Sequence, residues 1–172
     1  MQKFTIAEIL RTRRIGTLGK HSTLDDIIAI YGEPDFYRPN PMRYNENFLV
    51  YYGSLIFTIT ARKKRICEIY LVSIVPGLYL GKHGPERILS DAHILYDYSQ
   101  KEIEDYFLQH DLELELSEED RAYNNNLEVY YPKLCKRPFT KLYPSFLVRY
   151  DLEENNIFEI LIRYDYRSKS ER

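Results

Sequence analysis

The chain has no tryptophan, only two cysteines and seven glycines in 172 residues, and neither sign of charge predominates. Cys67 and Cys135 are too few for a disulfide scaffold and match a reducing compartment. Cys67 lies in a strand-like apolar run, where a thiol serves as a small core hydrophobe. No apolar stretch approaches the ~20 residues that cross a bilayer, and the longest, residues 66–75, is interrupted by Glu68, so the chain is not expected to span a membrane. Residues 1–11 carry Glu8 where a signal peptide needs an unbroken apolar region, and no small-residue cleavage site follows, so a cytoplasmic protein is expected. With 24 Lys+Arg against 26 Asp+Glu there is no polybasic arm for nucleic acid, and 44% hydrophobic content argues against wholesale disorder.

Tyrosine is what the chain holds in excess, 17 residues, about three times the ~3% of an ordinary soluble chain. Placing these tyrosines requires the elements first. Thr5 followed by Glu8 has capping-box spacing, and Ile6, Ile9 and Leu10 recur at helical intervals, which predicts a short helix ending near Arg13-Arg14. Leu24, Ile27, Ile28 and Tyr31 form an i, i+3, i+4, i+7 stripe opened by Ser22 or Thr23 and closed by Gly32 and Pro34. After the connector Arg38-Pro39-Asn40-Pro41 the period turns strand-like over residues 47–52, 54–60 and, past the basic turn 62–65, 66–74.

The second half repeats this order. Ser99 and Glu102 form another capping box ahead of Ile103, Tyr106 and Phe107; Asn126-Leu127-Glu128-Val129-Tyr130-Tyr131 echoes Asn47-Phe48-Leu49-Val50-Tyr51-Tyr52; and residues 145–148 with 157–162 align on 54–57 with 66–71. A structural duplication follows: residues 1–78 as a first αβ repeat with an N-terminal helix, and 79–172 as a second with insertions around 132–144. The expected class is α+β, two tandem helix-plus-antiparallel-meander repeats forming one sheet with helices packed on one face of a single compact domain. In each Tyr-Tyr pair the neighbours face opposite sides, so one is expected in the core and the other exposed. Leu-Gly-Lys-His stands at 18–21 and again at 80–83, either a marker of each repeat's start or a coincidence.

Gly19, Thr23, Leu24, Ile27, Ile28, Tyr31, Gly32, Pro34 and Asp35, a helix ending in Gly-x-Pro-Asp ahead of a meander, resemble the module of the BamE/SmpA lipoproteins. The tandem form resembles the β-lactamase-inhibitor protein fold, and the chain also looks like small cytoplasmic bacterial proteins of unknown function, some of them suspected toxin-neutralising immunity proteins. The resemblance implies a fold that serves as a protein-binding surface. This chain lacks the lipoprotein signal and the disulfides of the secreted members.

Motifs for chemistry are sparse. His21, His83, His93 and His110 have no metal-ligand spacing and neither cysteine is near one, so no metal, cofactor or catalytic residue is assigned and the chain is not expected to be an enzyme. Asp91 and His93 could orient one another, but no nucleophile accompanies them. Gly16-Thr17-Leu18-Gly19-Lys20-His21-Ser22 departs from a phosphate loop in its glycine spacing and in following a helix; it reads as a turn, or as amides that hold an anion beside Lys20 or Lys82.

Charge is more telling. Residues 97–120 hold ten acids against Lys101, a local net charge of −9, and the alternation Leu112-Glu113-Leu114-Glu115-Leu116 puts leucines on one strand face and glutamates on the other. Two readings stand: a solvated edge whose charges deter sheet-to-sheet aggregation, and a face that steers a basic partner such as a nuclease-type toxin. On the second, the expected function is a cytoplasmic protein-interaction module with an immunity or inhibitor role. Its partner-binding residues would be Glu102, Asp105, Glu113, Glu115, Glu118, Glu119, Asp120 and Tyr123, its partner another, basic protein, with oligomeric state left open. The alternative is a small-molecule or single-stranded nucleic-acid binder using the Tyr-rich sheet and Lys133, Lys136, Arg137, Lys141 and Arg149 with Tyr130, Tyr131, Phe139 and Tyr143; the slight net acidity weighs against the nucleic-acid form.

Overall fold

Hydroxyl caps start the three longer helices. In the computed structural model, which describes residues 2–39, 47–72, 88–117, 126–133 and 145–164, Thr5 Oγ1 accepts from the Glu8 N–H at 3.0 Å and opens α1 (Ile6–Thr12). Thr23 opens α2 (Leu24–Tyr31), α3 (Ile94–Asp97) is a single turn, and Ser99 opens α4 (Gln100–Gln109). Asp26 and Glu102 complete reciprocal boxes by accepting from the Thr23 and Ser99 N–H groups at 2.7 and 2.8 Å. Gly32, at φ 79°, ends α2, and the Pro34 that follows forbids continuation.

The strands are β1 (Phe36–Pro39), β2 (Asn47–Tyr52), β3 (Leu55–Thr60), β4 (Ile66–Val72), β5 (Leu114–Leu116), β6 (Leu127–Pro132), β7 (Ser145–Asp151) and β8 (Asn156–Arg163). They form one eight-stranded sheet in the order β1-β2-β3-β4-β8-β7-β6-β5, every neighbour antiparallel. Tight turns join β2 to β3 through Gly53, at φ 63°, and β7 to β8 through Asn155, at φ 53°, whose side chain accepts from the Tyr150 hydroxyl at 2.6 Å.

This overturns the expected class of two tandem helix-plus-meander repeats. The described chain is a single antiparallel sheet in which strand outweighs helix, with a few short helices as accessories. A tandem array would lay β5 beside β4; instead β8, the last strand among the described residues, pairs with β4 at Glu68↔Arg163 through Val72↔Glu159, and the sheet continues without a break. The expected insertion at 132–144 and the second Leu-Gly-Lys-His fall almost wholly outside the described residues.

One row of side chains shows where the core sits. Val50, Phe57, Ile69, Ile162 and Phe146 occupy successive paired positions across β2, β3, β4, β8 and β7, and all are buried. Onto this face pack Ile6, Ile9 and Leu10 of α1, Ile27 of α2, Leu95 of α3, and Ile103 and Phe107 of α4. Of the α2 stripe only Ile27 is fully enclosed, so that helix lies shallowly on the sheet. Gln100 at the start of α4 donates to Glu128 at 2.6 Å and to the Tyr130 hydroxyl at 2.5 Å, tying the helix to β6. Of the tyrosine pairs, Tyr52 is buried and Tyr51 half-buried, stacked on Phe36 at 4.1 Å. Tyr130 and Tyr131 are both buried, against the expectation of one exposed member, because Tyr131 joins a second apolar cluster on the opposite face with Val129, Leu147 and Leu161.

Two charged pairs border that second cluster. Arg163 Nε donates to Glu68 at 2.8 Å, and the Tyr70 hydroxyl donates to the other Glu68 oxygen at 2.9 Å. Arg149 donates to Glu159 one strand over. Glu159 is buried, and desolvation raises its carboxyl above the ordinary range, with Glu68 adding to the rise and the Arg149 and Arg163 guanidiniums opposing it.

The N-terminal segment is held by an acid far along the chain. Phe4 bridges Leu89, and the buried Asp91 carboxylate accepts from the Ile6 N–H at 3.0 and 3.1 Å and from the Tyr106 hydroxyl at 2.5 Å, while the same hydroxyl accepts from the Ala7 N–H at 3.1 Å. Asp91→Ala leaves these donors buried without an acceptor and should cost roughly 3 kcal/mol or more, read as a fall in the urea midpoint; an unshifted midpoint would contradict the capping role. For Glu159 the sign runs through proton binding: a carboxyl raised on folding favours the native state below its unfolded value, about 4.3, and loses that contribution as pH climbs through the raised native value. Glu159→Gln should therefore lessen the decline in stability as pH rises above the unfolded carboxyl value of about 4.3, measured by denaturant titration in a pH series; identical wild-type and variant profiles would rule out this assignment.

Candidate functional site

The acidic segment folds as α4, a tight reversal and the edge strand β5. Asp111, at φ 58°, makes the reversal after α4, and the Leu112 N–H donates to the Phe107 carbonyl at 2.9 Å, so β5 returns alongside the helix. β5 pairs with β6 through Leu114↔Pro132, Glu115↔Tyr131 and Leu116↔Tyr130, and among the described residues its other edge has no ladder partner. The leucines at 112, 114 and 116 lean on the core, and the glutamates at 113 and 115 take the opposite side.

Between helix and strand runs a groove of about 420 Å³, floored by Phe107, Leu112, Leu114 and Leu116 and flanked by Leu108, which is 62% exposed. Glu104 and Glu113 stand on its rim. Glu113 pairs with Lys133 at 2.9 Å, both side chains 59% exposed, and the carboxylate raises the lysine's proton affinity. An ion pair this open is screened by solvent and salt and adds little to stability.

The expected binding residues divide into three groups. Glu113 and Glu115 lie together on and beside β5, and Asp105 is exposed on α4. Glu102, also exposed, is committed to the Ser99 cap, which holds its carboxyl below the usual range through the Ser99 hydroxyl and then the Ser99 N–H. Glu118, Glu119, Asp120 and Tyr123 lie outside the described residues. Glu104 and the apolar floor of the groove were not among the expected residues, although the exposed Leu108 interrupts the polar side of the α4 pattern and was a readable signal.

The alternative basic segment is largely engaged or outside the described residues. Lys133 holds Glu113, Arg149 holds Glu159, and the Tyr130 hydroxyl donates to Glu128 at 2.7 Å. Lys136, Arg137, Phe139, Lys141 and Tyr143 are not described. Asp91 and His93 do not act on one another: the carboxylate caps α1, and the exposed imidazole lies edge-on to Tyr98 at 5.6 Å. The segment 16–22 forms a turn in which the Gly19 N–H donates to Ser22 Oγ at 3.0 Å, with the Ile15–Leu18 bridge closing it. Among the described residues no three His, Cys, Asp or Glu side chains gather as a metal would require, and no helix is long and apolar enough to cross a membrane.

No protein-family model matches the chain, and no curated protein is similar to it. Among solved structures it is similar to an extracellular protein containing an SCP domain from Bacillus anthracis str. Ames, at 10% identity and a TM-score of 0.45, over 96% of this chain and 47% of that one. The chain thus spans about half the length of that protein.

Proposed function

We propose that this chain is a protein-interaction module, with an immunity or inhibitor role, that receives a basic, partly apolar segment of another protein along the α4–β5 groove. The observation that carries the reading is the pairing of an apolar floor with acidic side chains at a sheet edge that has no ladder partner among the described residues: Leu108, Leu112 and Leu114 beside Glu104 and Glu113, with Asp105 and Glu115 exposed nearby on α4 and β5. A strand laid against β5 would gain backbone hydrogen bonds, its alternate apolar side chains would enter the groove, and its lysines or arginines would meet the glutamates. Two observations support a cytoplasmic setting for this role. The sequence has only two cysteines, and Cys67 is a buried free thiol.

The acidic rim supplies steering, so association should slow as salt rises past the range where the Debye length falls to about 10 Å. With an immobilised decapeptide alternating leucine and lysine as probe, Glu113→Lys with Glu115→Lys should reduce the association rate about tenfold and flatten its salt dependence. A leucine–glutamate peptide should not bind. Equal rates for wild type and double variant across a salt series would overturn the reading.

A further inference from the structure

We propose that the cleft between α1 and α2 is a binding site for the phosphate groups of a nucleotide-sized small molecule. It encloses about 580 Å³, within the range of small-ligand sites. Among the described residues its lining gathers Arg11, Arg13, Arg14, Lys20 and His21, with Asp26 the one carboxylate. Asp26 already accepts from the Thr23 N–H and the Thr23 hydroxyl at 2.7 and 2.9 Å, so it serves the α2 cap.

Local backbone geometry makes this concentration. Arg13 ends α1 in the left-handed region at φ 54°, the chain doubles back through the Ile15–Leu18 bridge, and Lys20 and His21 return to the same cleft as the three arginines. The three guanidiniums so placed repel one another, and an anion between them relieves that repulsion. Cations also suit the C-terminal end of α1, but that effect does not account for Lys20, which belongs to the following loop.

Three further features point to an oxyanion. Arg13 lines the cleft, and among the described residues its buried Nε has no hydrogen-bond partner, so its guanidinium is not used up by a protein acceptor at that atom. Arg14 and Arg11 are each positioned by a donated bond, to the Thr17 and His110 carbonyls, both at 2.6 Å, and a guanidinium carries five N–H donors in a planar fork that fits phosphate oxygens. Gly19 leaves open the space through which Arg14 crosses the loop, since a Cβ there would lie 3.2 Å from Arg14 Cγ. Tyr164, whose hydroxyl donates to the Arg13 carbonyl, and Ile30 add aromatic and apolar surface for the uncharged part of the ligand.

The test is isothermal titration calorimetry of the whole chain with orthophosphate, pyrophosphate and adenosine diphosphate, beside a single-stranded 20-nucleotide DNA as competitor. Pyrophosphate and adenosine diphosphate should bind one to one and saturably, with the nucleotide the tighter. Arg14→Gln and Lys20→Gln should each weaken binding about tenfold while the ligand-free melting temperature stays near that of wild type. Arg13→Gln should weaken it further; because the Arg13 side chain is half-buried at the end of α1, the other two variants carry the test if it unfolds. No heat with any probe at about 5 mM, equal affinity in wild type and in the Arg14 and Lys20 variants, or displacement by the oligonucleotide with the salt slope of many phosphates would each overturn the proposal.

Discussion

The ladder between β4 and β8 is the constraint on which the remaining structure depends. It joins residues as far apart as Glu68 and Arg163, and it makes one sheet from strands that would otherwise end in two unpaired edges. Its helix-side pairs, Ile69↔Ile162 and Leu71↔Ile160, lie at the centre of the buried row, while Glu68↔Arg163 marks the register from the other face. A slip of one residue would turn the isoleucines outward and carry the buried Glu68 into the core away from its arginine. Desolvation makes such a pair a poor source of net stability, but it excludes the wrong alignment effectively.

A net charge of −2 conceals how unevenly the charge is distributed. The turn after α1 gathers cations around a cleft, and the α4–β5 end gathers carboxylates around an apolar groove. The two ends are mechanically linked: Arg11 at the end of α1 donates to the carbonyl of His110 at the end of α4, and Asp91 ties the start of α1 to Tyr106 in α4. A ligand or partner that shifts α1 therefore acts on the helix that forms one wall of the groove.

What the sequence made legible was local. The stripe Leu24, Ile27, Ile28 and Tyr31 with its stop at Gly32 and Pro34 placed α2, the box of Ser99 and Glu102 placed α4, each signal complete within a few residues, and the alternation of Leu112 to Leu116 placed the leucines and glutamates of β5 on opposite faces. The order of strands was not legible, because similar Tyr/Val/Ile runs can pair with one another in many ways and periodicity carries no address. β1 was hidden by Pro39, which an edge strand tolerates and a central one does not. Asp91 resembled half of a dyad with its sequence neighbour His93, whereas its partners, Ile6 and Tyr106, are 85 and 15 residues away. For the candidate site, the acidic strip was plain in the charge count, while its apolar floor required the return of β5 alongside α4.

The nested strand order also governs the time course of synthesis. β4 is complete once residue 72 has been made, but its partner β8 runs to residue 163. At about 5–20 residues per second the interval between them lasts roughly 5–20 seconds. Throughout it, the Ile66–Val72 edge stands open beside an already pairable β2–β3–β4 meander. An aggregation-sensitive edge therefore belongs to the nascent chain, where β4 waits for its partner, and disappears when the last described strand closes on it.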